Sequence, residues 1–501
     1  MLLASRPLPA GDVQKPDRER MIARIDELVA AGWKSERVAP APPADDAEFL
    51  RRVSLDLAGV PPRVGDARAF LASSDPNKRM RVIEELVRSP QCAAHLANTW
   101  RNIMLPGGFD PERQEGIIGL HDWLRQQFAS GARYDHMIAD LLVATEGNRS
   151  GPALFYTTLQ LKPEELATST ARIFLGLQIG CAQCHDHPFA HWKQRDFWGY
   201  AAFFARVKQS DMRGARFRLI DAEQGEVMVP GSPAAVPPVY PDGQAAGDSQ
   251  GDSRRRQLAV WVVSRDNPYV ARAAVNWAWA HLFGRGLVEP IDDLGGHNPP
   301  SHPELFDELA RYFIAAGFDL RELLCTIAGS RAYQLSSATE TGHTTPPRLF
   351  ARMPLKVLTA DQLYDSVRRS CLGDRQQSDT SPLNDAERQA FLTRFESPSR
   401  NPGEFQAGAP QALRLMHGTE IRRLAGVDQS PLVKALDHQL FDLDEQIDVL
   451  MLATLTRYPD SAERERLATM LAGSSNPTER RQAMANILWA LLNTAEFALN
   501  H

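Results

Sequence analysis

The spacing of apolar residues constrains this chain most. Met21, Ile22, Ile25, Leu28 and Val29 recur at steps of three and four, which draws one apolar stripe along a helix over residues 17–31. The same period returns along most of the 501 residues. Asp45 and Asp46 are placed to cap a helix that ends at Gly59-Val-Pro-Pro, where two prolines cannot continue it. Asp75-Pro76 opens another helix, and more fit near 91–104, 117–129 and 133–144, with one running from Pro163 through Ile173 and Phe174 toward Gly180. In the second half, Asn267-Pro268 starts a segment through Phe283 that is apolar nearly all round and so reads as buried. Helices also fit 303–315, 319–329, 359–372, 384–395, 444–456, 460–472 and 477–499, while 373–383 and the stretch around Pro398 read as exposed loops.

The texture changes once, beyond Phe204. Phe217–Asp221 and Glu226–Val229 flank Glu223-Gln-Gly, the pattern of a β-hairpin on a glycine turn. Residues 230–253 are rich in Pro, Gly, Ala and Ser, as a linker or long loop is. The expected architecture is mainly α: a helical domain over 15–207, a hairpin and linker over 208–253, and a second helical domain over 254–501. No short-period repeat points to a solenoid.

Composition narrows the function classes. Apolar residues are 43% and charged residues 24%, a globular balance, and the net charge of -6 gives no global basic field for nucleic acid. No stretch reaches the ~18 apolar residues of a spanning helix. The amino terminus shows neither a basic n-region nor an apolar h-region, so no signal peptide is visible.

Five cysteines exclude a disulfide framework. Cys92, Cys325 and Cys371 are scattered and read as buried hydrophobes. Cys181 and Cys184 differ, because they open Cys181-Ala-Gln-Cys184-His185-Asp-His187-Pro-Phe-Ala-His191-Trp. Its core, C-x-x-C-H, is the c-type haem attachment pattern. Two thiols at that spacing each form a thioether to a haem vinyl, and the adjacent His185 donates an imidazole nitrogen to iron. Two alternatives stay open. Cys181, Cys184, His187 and His191 are a thiolate–imidazole donor set for zinc or non-haem iron, in a metal-binding protein or a hydrolase with polysaccharide as the substrate class considered. Pro188 argues against a regular H-x-x-x-H helix face, and no H-E-x-x-H occurs. The last reading is a scaffold in which the motif is structural.

A haem iron needs a sixth ligand or an open face, and His281, His302 and Met212 are the distant candidates. His281 closes an apolar helix and also reads as a satisfied core residue. His302 stands at a helix start where Ser301 would serve as N-cap. Trp192, Phe197, Trp198, Phe203 and Phe204 follow the motif as core, and would wall a haem. The turn-rich stretch 284–297, with adjacent Asp292 and Asp293, could take a cation or sugar hydroxyls but reads first as a solvated loop. Arg254-Arg-Arg reads as a solvated helix start. No nucleophile elbow, Walker loop or dinucleotide fingerprint is present.

With these residues in view, the chain resembles planctomycete cytochrome-c-associated proteins that carry paired domains of unknown function. The first domain's pattern is similar to Phe49-Leu-Arg-Arg-Val-Ser-Leu-Asp-Leu-Ala-Gly-Val-Pro-Pro, the segment from Phe174 through Cys181-Ala-Gln-Cys-His-Asp-His-Pro-Phe, and Phe197-Trp-Gly-Tyr-Ala-Ala-Phe-Phe. The second resembles Asn267–Asn276, His281-Leu-Phe-Gly-Arg-Gly-Leu-Val-Glu-Pro, Asn298-Pro-Pro-Ser-His-Pro-Glu-Leu, Leu358–Ser366 and the final Ala490–His501. The resemblance implies export to the periplasm or another extracytoplasmic space, and a redox partner or a cytochrome-c domain to work with. It carries Cys181, Cys184 and His185 over as haem-c candidates, and no settled activity.

Overall fold

Helix ends follow the local chemistry of the chain. Asp45 accepts a hydrogen bond from the Glu48 amide at 2.8 Å and starts the helix Asp46–Ala58. Gly59 ends it at φ 73°, a left-handed conformation in which an added Cβ would lie 2.6 Å from Nδ1 of His95. Pro303 occupies the first turn of Pro303–Ala315, and Thr359 with Gln362 forms a capping box on Ala360–Leu372. The computed structural model describes residues 17–105, 114–147, 151–188, 190–211, 217–247, 253–338, 345–373, 383, 385–395, 419–438, 440–474 and 476–501. It is mainly α, with one three-stranded and one two-stranded sheet among these residues.

Packing divides the chain into two units, Met1–Glu36 with Leu96–Ile327, and Arg37–His95 with Ala328–His501. Each packing unit takes residues from both halves of the sequence. The first unit has an aromatic core in which Trp100 lies 5.4 Å from Tyr134, 6.4 Å from Phe174 and 6.4 Å from Trp277, between ring centroids. The second buries Leu55 with Leu363, Val367, Ile447, Leu450, Ile487 and Leu488 in one apolar cluster.

Within the second unit the helix Asp46–Ala58 is buried at every position from Phe49 to Ala58, charged residues included. Arg51 donates to the carbonyls of Thr454 at 2.8 Å and Phe497 at 2.9 Å, and Arg52 to those of Tyr333 and Leu335, each at 2.8 Å. Asp56 accepts from Tyr333 Oη at 2.8 Å, from Asn500 Nδ2 at 2.6 Å and from Lys356 Nζ. These buried ions persist because most of their polar atoms find partners across the unit, the Nε atoms of Arg51 and Arg52 excepted.

The β-hairpin has a different partner from the one expected. Phe217–Asp221 pairs antiparallel with Val207–Asp211, and Glu146–Gly147 adds a third, short strand on its other side. Glu226–Val229 stays out of that sheet, because Gly225 turns the chain at φ 152° against the Ala205 carbonyl, and Val227 packs with Ala202 and Val236. The Pro/Gly-rich tract, in its described part, is a folded strap. Val239 donates to the Gly199 carbonyl at 3.0 Å, and Tyr240 stacks between Phe203 at 4.9 Å and Trp261 at 5.2 Å.

Arg254-Arg-Arg is solvated only at Arg256. Arg255 is fully buried and bidentate to Asp221 at 2.8 and 2.9 Å, with a further bond to the Ala144 carbonyl, while Arg254 pairs with Glu226. The expected helix over 477–499 is two, Pro477–Leu492 and Ala495–Ala498, broken where Thr494 caps the second through the Phe497 amide. The exposed loop expected over 373–383 and the stretch around Pro398 lie almost wholly outside the described residues.

Candidate functional site

The helix that leads to the cysteine motif ends before the sequence pattern suggests. Pro163–Thr170 is α-helical, Ala171–Leu175 is a π-helical turn, and Gly176 stops it at φ 64°. The stop has a tertiary cause. The Leu294 amide donates to the Gly176 carbonyl at 2.7 Å, and the Leu294 side chain fills the space where a Cβ on residue 176 would stand. The chain then runs to a 3-10 turn, Gly180–Gln183, which carries Cys181 and leads into Cys184.

Helix Gln194–Ala201 braces that turn from behind. Trp198 Nε1 and Gln194 Nε2 both donate to the Gln183 carbonyl at 3.1 Å, and Gln194 Nε2 donates to the Cys184 carbonyl at 3.0 Å. Asp186 accepts from the Gln194 amide at 2.8 Å, and the His187 amide reaches the Trp192 carbonyl at 2.8 Å. Trp192, Phe197, Phe203 and Phe204 are buried and Trp198 half-buried, so this aromatic cluster is core. Cys181, Cys184 and His185 stand exposed on the supported turn, and both thiols are unpaired by disulfide.

Three imidazoles near the turn have tautomers set by their partners. His185 Nδ1 lies 2.8 Å from the Asp186 carbonyl, which can only accept, so Nδ1 holds the proton and the neutral ring keeps a lone pair on Nε2. His187 is the reverse, because the Ala190 amide donates to its Nδ1 at 2.9 Å. The neutral His187 ring therefore carries its proton on Nε2. His297 Nε2 lies 2.9 Å from an Asp293 carboxylate oxygen, which puts the proton there and the lone pair on Nδ1.

His297 comes to the motif across more than a hundred residues of chain. Its ring centroid is 6.4 Å from that of His187, with the planes at 36°. The stretch 284–297, read from sequence first as a solvated loop, is pinned to the approach to the turn. Gln178 donates to Asp292 at 2.8 Å, and Arg172 joins Asp292 at 3.2 Å while reaching the Ile103 carbonyl at 2.9 Å. From helix Val270–Phe283, the fully buried Asn276 donates to the Val288 and Ile291 carbonyls and accepts from the Val288 amide. Asp292, Asn276 and His297 act together here, and only the pair of adjacent acids drew attention in the sequence.

The remaining candidates are spread out. His191 is exposed and lies 4.2 Å from the Trp192 ring. His281 is half-buried in the last turn of its helix. His302 is buried against the backbone of Gly32, and it is His302, not Ser301, that occupies the N-cap position; Ser301 Oγ instead bonds His302 Nδ1 at 3.1 Å. Met212 lies outside the described residues. Among the described residues no group of three or more His, Cys, Asp or Glu side chains is gathered as a metal ligand set, and Cys181, Cys184, His187 and His191 form none.

A mainly helical chain presenting an exposed C-x-x-C-H turn is the class that this fold and site define. Residues 24–209 match the family described as "PSCyt2: Protein of unknown function (DUF1549)", and residues 254–471 match "PSD1: Protein of unknown function (DUF1553)". The chain carries these two domains of unknown function as a pair. No curated protein and no solved structure gives a match. Among the described residues, no helix is long and apolar enough to cross a membrane.

Proposed function

We propose that Cys181, Cys184 and His185 are a covalent haem-c attachment turn, and that the protein is an extracytoplasmic redox or electron-transfer protein. The observation that carries this reading is the state of the trio: two exposed free thiols on one braced turn, beside an imidazole whose Nε2 lone pair is left open by the Nδ1 bond to Asp186. A backbone carbonyl on the far nitrogen of a ligating histidine fixes its ring orientation, as metal-binding histidines require. The donor set therefore suits the group.

Haem, when bound, supplies a one-electron iron couple. The chain's own residues do the rest. The thiols would form the covalent links and His185 would present Nε2, while Gln194 and Trp198 hold the turn so that little freedom would be lost on attachment. Haem-c attachment takes place outside the cytoplasm, which is why an extracytoplasmic site follows from this reading. A redox partner, or a protein with a cytochrome-c domain, would exchange the electron.

The non-haem metal reading draws less support, since it asks His187 for a lone pair at a nitrogen that either serves the Ala190 amide or carries the proton. The test is expression in a host with haem-c maturation. A pyridine haemochrome band, lost when both Cys181→Ser and Cys184→Ser are introduced, supports the proposal. Wild-type protein that is folded and lacks the band overturns it.

A further inference from the structure

The two ends of the cysteine turn are held by different parts of the chain. On the Cys184 side, Gln194 and Trp198 grip the carbonyls of Gln183 and Cys184. On the Cys181 side the chain arrives through residues 176–179, which belong to neither a helix nor a strand and so have no backbone ladder of their own. Leu177 and Ile179 are buried there. The half-buried Gln178 between them reaches a carboxylate, its Nε2 donating to Asp292 Oδ1 at 2.8 Å.

Asp292 gives one oxygen to each arm of the bend at Gly176. Oδ2 takes Arg172 Nη1 at 3.2 Å, from the π-helical turn before Gly176, while Oδ1 takes Gln178 from the segment after it. Two residues along the same loop, the Leu294 amide donates to the Gly176 carbonyl itself. The loop stands on the fully buried Asn276, which bonds the Val288 and Ile291 backbone. Asp292 belongs to the second matched family segment and the turn to the first. A hydrogen bond to a charged group is the stronger kind, so this tie resists slack better than a pair of neutral amides.

We infer that Asp292 is the positioning residue of the cysteine turn: through Gln178 and Arg172 it fixes where Cys181 stands relative to Cys184, so that one bound group engages both sulfurs at once; that this group is haem rests on the attachment reading above. Cys184 is set by the helix Gln194–Ala201 and Cys181 by the loop of Asp292. Two thiols preset in this way lose little freedom when both are tied, and each raises the effective concentration of the other. The second family segment is then part of the site.

Phenylarsine oxide binding to haem-free, full-length protein tests this. The hydrate of the reagent condenses with two thiols, forming two arsenic–sulfur bonds and releasing two waters, with nothing oxidised or reduced. Wild type is expected to take one equivalent across Cys181 and Cys184, lost in Cys181→Ser. Gln178→Met keeps the length of the side chain and the Arg172–Asp292 pair but removes the donor. It is expected to weaken that binding about tenfold, the factor one hydrogen bond to a charged group carries, with unchanged far-ultraviolet circular dichroism. Asp292→Asn leaves Gln178 a neutral acceptor and is expected to weaken binding less; it decides the matter should Gln178→Met not fold. A wild type that fails to bridge its two thiols, or a folded Gln178→Met protein that binds as wild type does, overturns the inference, as does wild-type affinity in Asp292→Asn where that variant alone folds. Because no haem enters the measurement, a wild type lacking the haemochrome band is a separate failure, that of the attachment proposal.

Discussion

Asn276 and Val288 meet through both ends of one side-chain amide: Nδ2 donates to the Val288 carbonyl and Oδ1 accepts from the Val288 amide, each at 2.9 Å. Together with the Ile291 carbonyl this satisfies three backbone groups of the loop that carries Asp292 and His297. Asn276→Ala leaves all three buried and unpaired, and is expected to destabilise the protein by about 3 kcal/mol or more in urea unfolding. Faster amide exchange over 286–294, at temperatures where the rest stays protected, is the accompanying local sign.

Thiol chemistry separates the cysteines. Cys92, Cys325 and Cys371 are buried, and burial pushes the Cys371 thiol up to about 12, far from the reactive thiolate. Native alkylation of protein made without haem maturation is expected to label Cys181 and Cys184 alone, two of the five cysteines. Mass spectrometry counts the adducts. Protein carrying covalent haem is expected to take none.

Acid behaviour follows from Glu463. Two hydrogen bonds from Arg457 hold its carboxyl down at about 2, below its ordinary 4.5. A carboxyl depressed in the folded state stabilises above its unfolded pKa, and that contribution fades as pH falls from 4.5 toward 2. The melting temperature of Glu463→Gln is therefore expected to fall less steeply than that of wild type across this window. Equal slopes would show that the pair contributes nothing measurable.

Asp56 takes hydrogen bonds from Lys356, Tyr333 and Asn500, and burial holds the Lys356 ammonium below its ordinary value. Asp56→Ala strands that ammonium without its counter-charge and is expected to cost about 3–5 kcal/mol by denaturant unfolding. A loss under 1 kcal/mol, on the scale of an exposed pair, would mean that Lys356 escapes to water.

Because each packing unit draws on both halves of the chain, fragments cut within 248–252 are expected not to fold alone. Residues 1–250 lack Trp277 and Phe313 of the first core, and residues 251–501 lack Leu55 and Arg51 of the second. Circular dichroism of each fragment should show no cooperative melt, and co-expression should restore one.

Local signals were legible where local chemistry decides. The helix at 303–315 coincides with Pro303–Ala315 because Pro303 and an amphipathic stripe both act within the segment. The helix Val64–Ala72 went unread because its N-cap residue Arg63 makes no side-chain capping bond and it buries only Ala67 and Phe70. Arg51, Arg52, Asp56 and Arg255 look solvated in sequence; only partners hundreds of residues away, or on a strand with an unforeseen neighbour, make them core. The candidate site divides the same way. The C-x-x-C-H spacing is local and was plain. The approach of His297 and Asp292 is tertiary, and no periodicity over 284–297 announces it.

The buried guanidinium of Arg51, gripping the carbonyls of Thr454 and Phe497, joins one matched family segment to residues at and beyond the other. Drift at one of these positions has to be answered at the others, although hundreds of codons lie between them. Inheritance thus acts on the couple, and neither member is a module that could be lent to an unrelated chain.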